Sequence, residues 1–146
     1  MEITTTRFGR LEIEANDIIR FPTGLWGFED CREWVLLADQ ENDALAWLQC
    51  VQRPAVALAV ASPRRFVPDY RMRVARRELS SLELTDVKRA KVLVVVGRTD
   101  RAMTLNLKAP VVINLDRRLG RQVITNGDLP VQYELASEPP ALRRSA

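Results

Sequence analysis

The sequence contains no histidine and only two cysteines in its 146 residues. The absence of histidine excludes Ser-His-Asp and Cys-His nucleophile systems, and two thiols without an imidazole rarely complete a zinc site. Because nothing marks the chain for export, we expect Cys31 and Cys50 to be reduced thiols. Catalysis and metal binding of these common kinds are therefore not expected.

Long apolar runs are also missing. The longest, AVALAVA at residues 55–61, is far shorter than the roughly 20 apolar residues that a membrane-spanning helix needs. The N-terminus, MEITTTRFGR, lacks the basic-then-apolar order of a secretory signal. We therefore expect no membrane segment and a cytoplasmic location. The length suits one domain.

The net charge is only +3, but it is unevenly placed along the chain. Residues 1–60 carry five basic and ten acidic side chains, a net charge of −5, whereas residues 61–146 carry seventeen and nine, a net charge of +8. The two halves can interleave in a folded domain. The sequence therefore predicts a possible charge dipole and no more.

Short apolar segments bounded by Gly, Pro, Asp, Asn or Ser recur along the chain and predict strands. Apolar alternation on both sides of residues 7–10 predicts an N-terminal hairpin. Further strands are expected at residues 17–21, 34–38, 46–51, 56–61, 70–74, 92–96, 103–107, 111–115 and 122–125.

A single short helix is expected at about residues 75–84, and DRRLGR, at residues 116–121, is expected to form a turn into the last predicted strand. About ten short strands without alternating helices predict an all-β fold, an antiparallel sandwich or barrel. We expect one domain over residues 1–130. Residues 131–146 end in SEPPALRRSA, whose proline and charge content is typical of a flexible tail.

Residues 21–30, FPTGLWGFED, are too rich in glycine and proline for a helix and too apolar for an ordinary solvated loop. In one interpretation Gly24 and Gly27 permit positive φ while Trp26 and Phe28 fold back over a barrel end. In the other, the two aromatic side chains face a partner. The GLWG pattern also matches the GxxG of a loop that clamps nucleic acid, but that loop lies between helices and these flanks look extended.

A basic stretch follows in the middle of the chain, with Asp69 as its only acid. Alternation places Arg71 and Arg73 on one face of the strand predicted at residues 70–74. The stretch could bind the phosphates of RNA, or it could be the solvated face of an edge strand, where charge discourages aggregation. Its six arginines are Arg64, Arg65, Arg71, Arg73, Arg76 and Arg77.

Other polar residues favour structural roles. The amides of Asn106 and Asn114, which flank the turn in LNLKAPVVIN, are expected to bind backbone groups at strand ends. The carboxylates could in principle form an acid/base pair, but surface and turn roles are the default for them. The sequence contains no P-loop, dinucleotide-type glycine fingerprint or nucleophile elbow.

Three stretches, in order, resemble the flagellar assembly factor family FliW. They are residues 6–37, with the FP-x-G-x-x-GFE segment, residues 47–70, WLQCVQRPAVALAVASPRRFVPDY, and residues 106–124, NLKAPVVINLDRRLGRQVI. The positions that match the family's motifs, and that we expect to be structural, are Phe21, Pro22, Gly24, Gly27, Trp47, Leu48, Gln49, Pro68, Asp69, Tyr70, Asn106, Pro110 and Asn114.

The resemblance implies a small antiparallel β domain of pseudo-barrel form, without catalysis or a cofactor. It implies two partners, flagellin and the dimeric RNA-binding translational repressor CsrA. In the mechanism it suggests, flagellin binds the factor until secretion lowers the amount of flagellin in the cell. The freed factor then binds CsrA at a surface away from the RNA-binding face. By allosteric coupling, this weakens the binding of CsrA to flagellin mRNA.

The candidate partner contacts are Trp26, Phe28, Arg71 and Arg73. Trp26 stands where the family usually has proline, and a pI of about 9.2 contrasts with the acidic character of typical members. The alternative function is an RNA-binding module that uses the basic stretch from Arg64 to Arg77.

Overall fold

The computed structural model describes residues 1–135, which form eleven strands, one short helix and four single-turn 3₁₀ helices. The strands are β1 (Glu2–Thr5), β2 (Gly9–Glu12), β3 (Ile18–Arg20), β4 (Glu33–Ala38), β5 (Leu45–Cys50), β6 (Ala57–Ala61), β7 (Ala90–Arg98), β8 (Met103–Leu105), β9 (Val111–Asn114), β10 (Leu119–Gln122) and β11 (Tyr133–Glu134). The helix is α1 (Arg76–Leu79), and the 3₁₀ helices are Ala15–Asp17, Pro63–Arg65, Ser80–Leu82 and Val87–Arg89.

Seven strands close into a barrel in the order β7, β6, β5, β4, β3, β10, β9, with β9 pairing back to β7. Strands β8 and β11 extend from β7, and β1 and β2 form a separate hairpin. Every pairing is antiparallel except that of β3 with β10, which runs parallel at Arg20 and Leu119. The predicted all-β pseudo-barrel with one short helix is confirmed, with one parallel contact that local patterns cannot reveal.

Strands β5 and β9 are buried on both faces along nearly their whole length, which explains their nearly continuous apolar runs. Along β5, Ala46, Leu48 and Cys50 belong to the cluster that fills the barrel, whereas Leu45 and Trp47 belong to a second cluster on the outside. The alternation follows from the two-residue period of a strand. Because both faces are apolar, the outside of the barrel needs a cover.

Four stretches of chain supply that cover. The β1–β2 hairpin packs Ile3 and Ile13 against Val35. Residues 66–72 and 129–135 contribute to the cluster around Trp47 and the outer face of β7. Residues 72–84 cover Val112 and Val123. Part of the basic stretch therefore lies in this cover.

Several predicted elements differ from the structure. The strand predicted at residues 70–74 is wrong, because these residues pair with no other strand. The last barrel strand, β10, begins at Leu119 rather than at Gln122, so residues 119–121 of the predicted turn belong to the strand. In place of the helix predicted at about residues 75–84, the structure has the shorter α1 followed by the 3₁₀ turn Ser80–Leu82.

The predicted tail begins at residue 131, yet Tyr133 and Glu134 pair with Leu105 and Thr104. The paired part of the chain therefore extends beyond the predicted boundary, and the division into domain and tail stays a prediction. Residues 136–146 of the predicted tail lie outside the described residues. Within residues 1–135, no helix has the length and apolarity required to cross a bilayer.

Candidate functional site

The aromatic loop, residues 21–30, is a compact chain of tight turns. The amide of Gly24 donates to the carbonyl of Phe21 at 2.8 Å, and the amide of Phe28 donates to that of Leu25 at 2.7 Å. Gly24 has φ of +68°, and a Cβ there would lie 2.6 Å from the Cα of Glu29. Only glycine fits this position, so the loop is held in one shape by its own backbone.

The three aromatic side chains of the loop have different environments. Phe21 is fully buried and meets Trp34 edge to face, with ring centroids 6.5 Å apart. Phe28 is half-buried and packs on the same indole at 6.4 Å. Trp26 is 51% exposed. Phe28 therefore folds back on the core, as the first interpretation expects, while Trp26 points outward as the second expects.

The aromatic loop is fixed to the barrel at two places that the sequence did not reveal. The Trp26 amide donates to Oε1 of Gln122 at 2.9 Å, and Nε2 of Gln122 donates to the carbonyl of Ala109. Inside the barrel, Phe21 lies over Gly120, where an added Cβ would come within 2.3 Å of the ring. The only sequence signal for these contacts is the placement of a glutamine and a glycine in a strand.

The second feature is the arginine strap, residues 70–77, which crosses the outside of the barrel. Tyr70 is buried, and its hydroxyl donates to the carbonyl of Leu107 at 2.9 Å. Burial raises the pKa of Tyr70 to about 12, so this donor stays protonated. Met72 and Val74 are half-buried while Arg71 and Arg73 are exposed. The alternation predicted from the sequence is present, but without a strand partner.

The arginines of the basic stretch divide into two groups. Nε of Arg64 donates to the carbonyl of Tyr70 at 3.0 Å, and Arg65 pairs with Asp43 at 3.1 Å. The other group has exposed side chains with no ion pair or hydrogen bond in the described part of the chain. It consists of Arg71, Arg73, Arg76 and Arg77.

Segment 119–126 connects the two features. It binds the aromatic loop through Gln122 and the strap through Asn126, whose amide donates to the carbonyl of Arg73 at 2.6 Å. Between these contacts, Ile124 is 47% exposed. The structure therefore attaches Trp26 and the strap to one short segment, whereas the sequence separates them by more than forty residues.

The amides that match the family's motifs bind backbone. Nδ2 of Asn114 donates to the carbonyl of Leu82 at 2.8 Å, and its Oδ1 accepts from the amides of Asp116 and Arg117. Oδ1 of Asn106 accepts from the amide of Ala109. Each asparagine therefore fixes a turn at the end of its strand.

The remaining motif residues lie in β5, in the aromatic loop, just before the strap or just before β9. Gln49 is fully buried and donates to the carbonyls of Cys50 and Pro54, while its Oε1 lacks a partner among the described residues. Leu48 and Pro110 are buried, while Pro22, Gly27, Pro68 and Asp69 are exposed.

Trp47 links the hairpin to the barrel. Its Nε1 donates to Oδ1 of Asp39 at 2.9 Å, and the guanidinium of Arg7 lies 4.1 Å from the ring centroid. Burial disfavours the charged form of Asp39, but hydrogen bonds from Trp47, Glu41 and Asn42 outweigh it and lower the pKa of that carboxyl. This contact is structural, since Trp47 is only 4% exposed.

The two thiols are free and buried. Burial raises the pKa of Cys31 to about 11, so the reactive thiolate is disfavoured at neutral pH. Among residues 1–135, no three His, Cys, Asp or Glu side chains come together in a way that could hold a metal ion. The described features are therefore surfaces, one aromatic and one basic.

Comparison with known proteins gives a consistent result. The family model described as FliW protein matches residues 2–135. The flagellar assembly factor FliW of Bdellovibrio bacteriovorus is 40% identical over 126 residues, covering 85% of this chain and 72% of the relative. That of Natranaerobius thermophilus is 33% identical over 150 residues, covering 100% and 99%.

A solved structure agrees with these relatives. The crystal structure of the flagellar assembly factor FliW superposes with a TM-score of 0.86 at 32% identity, covering 94% of this chain and 98% of that chain. Sequence and fold therefore match over nearly the whole described chain. The chain belongs to the FliW family of flagellar assembly factors.

Proposed function

We propose that this protein acts in flagellar assembly by binding other proteins in the cytoplasm, without catalysis and without a cofactor. Its partners are flagellin, for which it acts as a chaperone, and the repressor CsrA, whose translational control it relieves. The observation that supports the proposal is the family match over residues 2–135, together with the TM-score of 0.86 to a FliW structure.

The aromatic loop provides one contact surface. An exposed indole on a rigid backbone suits protein binding, because little conformational freedom is lost when a partner covers it. Trp26 has this character, since the turns at Gly24 and the contact with Gln122 fix its backbone. Phe28 supports the loop from beneath through Trp34.

Competition between the two partners for this protein is enough to couple flagellin to CsrA. If flagellin and CsrA compete for this protein, the amount of free flagellin sets how much of it is left for CsrA. Preferential binding to the RNA-free conformation of CsrA then weakens RNA binding by the same free energy, as linkage requires.

Titration calorimetry with each purified partner tests the proposal. We expect binding of both, with affinity reduced at least about 10-fold for one of them by Trp26→Ala. The matched control is Val87→Ala, at a side chain that is 65% exposed elsewhere on the surface, and it should leave both affinities unchanged. No heat with either partner at micromolar concentration would refute the proposal.

The second candidate, an RNA-binding module, is favoured by the four arginines of the strap without ion pairs. It predicts RNA binding that falls steeply with salt and is lost on reversing the charge of Arg71 and Arg73. Filter binding at low salt decides this point. A flat curve would eliminate the RNA-binding module and leave protein binding as the role of the basic stretch.

A further inference from the structure

Within the arginine strap, the backbone of residues 71–74 lies in no helix or strand. Residues 71–74 alternate between exposed and half-buried, as a strand on a surface does. Within residues 1–135, their four amides donate no hydrogen bond, and of their carbonyls only that of Arg73 accepts one. A segment with this two-residue alternation and free backbone groups can serve as a template on which another chain pairs as a strand.

The positive charges of the strap also form no ion pairs within the described residues. Elsewhere in the described chain, six arginines lie within 4 Å of a carboxylate. The four arginines of the strap have no such partner, although they lie within seven consecutive positions. Unpaired guanidinium groups at this density attract carboxylates, which they can bind in a bidentate manner.

A cleft of about 230 Å³ lies beside the strap, lined by Ser62, Pro63, Arg64, Tyr70, Met72, Ala90 and Val92. Its apolar members come from the strap, from the 3₁₀ turn Pro63–Arg65 and from β7. It is smaller than the roughly 300–1,000 Å³ of typical small-molecule sites. This size favours one apolar side chain of a longer ligand over a whole small ligand.

We propose that the arginine strap and this cleft form a docking surface for an extended, acidic segment of a partner protein. The backbone of the segment pairs with residues 71–74, and one apolar side chain enters the cleft. Its carboxylates face Arg71, Arg73, Arg76 and Arg77. The proposal concerns a surface and a ligand chemistry, and it does not depend on the identity of the partners proposed above.

The same arginines favour protein over RNA when their surroundings are considered. Single-stranded RNA is commonly bound by exposed aromatic side chains on which bases stack. The aromatic residue of the strap, Tyr70, is 4% exposed, and its hydroxyl is bound to Leu107. Free amides and an apolar cleft suit a peptide, which can use both.

Fluorescence anisotropy with three labelled probes tests the proposal. The probes are a peptide of alternating glutamate and valine, the same peptide with lysine in place of glutamate, and a single-stranded RNA. We expect the glutamate peptide to bind, and to bind more weakly as salt rises. The lysine peptide should not bind, because it presents like charge to the strap.

Paired variants locate the binding. Arg71→Gln with Arg73→Gln should weaken binding of the glutamate peptide about 10-fold. The control, Arg10→Gln with Arg32→Gln, removes the same charge from exposed positions on other parts of the surface and should change it less than about 2-fold. Equal losses in the two variants would reduce the effect to net charge and overturn the proposal.

Hydrogen exchange gives a second readout that net charge does not affect. In the free protein the amides of residues 71–74 should exchange fast, and the glutamate peptide should slow them. Binding without such protection would contradict strand pairing. No binding of the glutamate peptide up to about 1 mM, or RNA binding that depends on Arg71 and Arg73 in its place, would also overturn the proposal.

Discussion

At the scale of single residues, the contact between Phe21 and Gly120 is the tightest described here for a glycine. An added Cβ at residue 120 would lie 2.3 Å from the ring of Phe21, which is fully buried. We therefore expect Gly120→Ala to lower the free energy of unfolding by about 1–3 kcal/mol, the usual cost of overpacking a core. Urea unfolding measures it.

A double-mutant cycle provides the control. Phe21→Leu opens space at the ring position, so Gly120→Ala should cost less in that background than in the native chain. A coupling energy of at least about 0.5 kcal/mol is expected for residues in direct contact. If the two changes simply added, strain at residue 120 would have another origin.

Asp39 makes stability depend on pH. Its pKa is lowered in the folded state, because hydrogen bonds from Trp47 and two amides outweigh the effect of burial. A lowered pKa stabilises the fold above the unfolded value of about 3.9, and this stabilisation is lost as pH falls through the folded value. The carboxylate therefore contributes fully at neutral pH and not in acid.

Asp39→Asn tests this assignment. It should lower the free energy of unfolding by about 1–3 kcal/mol at pH 7, and the difference from the native chain should shrink below about pH 4. The matched control is Asp43→Asn, which breaks an exposed pair with Arg65 and should cost at most about 1 kcal/mol. A difference for Asp39→Asn that is constant with pH would contradict the account.

At the scale of elements, Asn114 joins two turns that the barrel strands do not hold. Its side chain donates to the carbonyl of Leu82, at the end of the 3₁₀ turn Ser80–Leu82, and accepts from the amides of Asp116 and Arg117 in the turn after β9. We expect Asn114→Ala to lower the free energy of unfolding by at least about 2 kcal/mol, since buried backbone groups lose their partners. Thermal and urea unfolding check the value.

Asn106→Ala is the comparison for this element. Asn106 flanks the same turn of the chain, but its side chain accepts one backbone hydrogen bond, from Ala109. We expect a loss of about 1 kcal/mol. Equal effects at the two asparagines would show that the contacts of Asn114 with the 3₁₀ turn contribute little.

The sequence predicts some elements well and others poorly, for physical reasons. Strands β4 to β7 have runs of apolar residues that are buried on both faces, so their positions are clear from the pattern. The strap has the same alternation but pairs with no strand, because pairing depends on a distant neighbour. The start of β10 is predicted too late. Gly120 looks like a turn residue in the sequence, but it lies in the strand against Phe21, and the turn residue with positive φ is Arg118, at +53°.

The surfaces were partly predictable. Exposure of Trp26 was one of two open interpretations, and the basic stretch was visible as a run of arginines. Neither the contact of Trp26 with Gln122 nor that of Arg73 with Asn126 follows from local sequence, because each joins residues more than fifty positions apart. Fold closure, rather than composition, brings these residues together.

At the scale of the whole molecule, the barrel strands from the two halves of the chain lie in two arcs of the ring. Strands β6, β5, β4 and β3 form one arc of the ring and come from the half with a net charge of −5. Strands β7, β9 and β10 form the other arc, and the strap covers part of its outside. The two halves also meet, because Asp43 of the acidic half pairs with Arg65 of the basic half, so the charge dipole stays a prediction.

The two contact surfaces should respond to salt to different degrees. Binding at the strap should weaken with salt, because it depends on exposed arginines. Binding at Trp26 should depend on apolar burial and respond less to salt. Calorimetry of each partner at low and high ionic strength, with the Trp26→Ala and Arg71→Gln/Arg73→Gln variants, distinguishes the two surfaces. The prediction fails if both variants give the same salt dependence.

We propose that this protein couples flagellin to the RNA binding of CsrA, and release of RNA from CsrA is the most direct test of this proposal. Labelled flagellin leader RNA is bound to CsrA, and its anisotropy is followed as this protein and then flagellin are added. We predict that the anisotropy falls with this protein and recovers once flagellin is in excess. An anisotropy that stays constant through both additions would contradict the account.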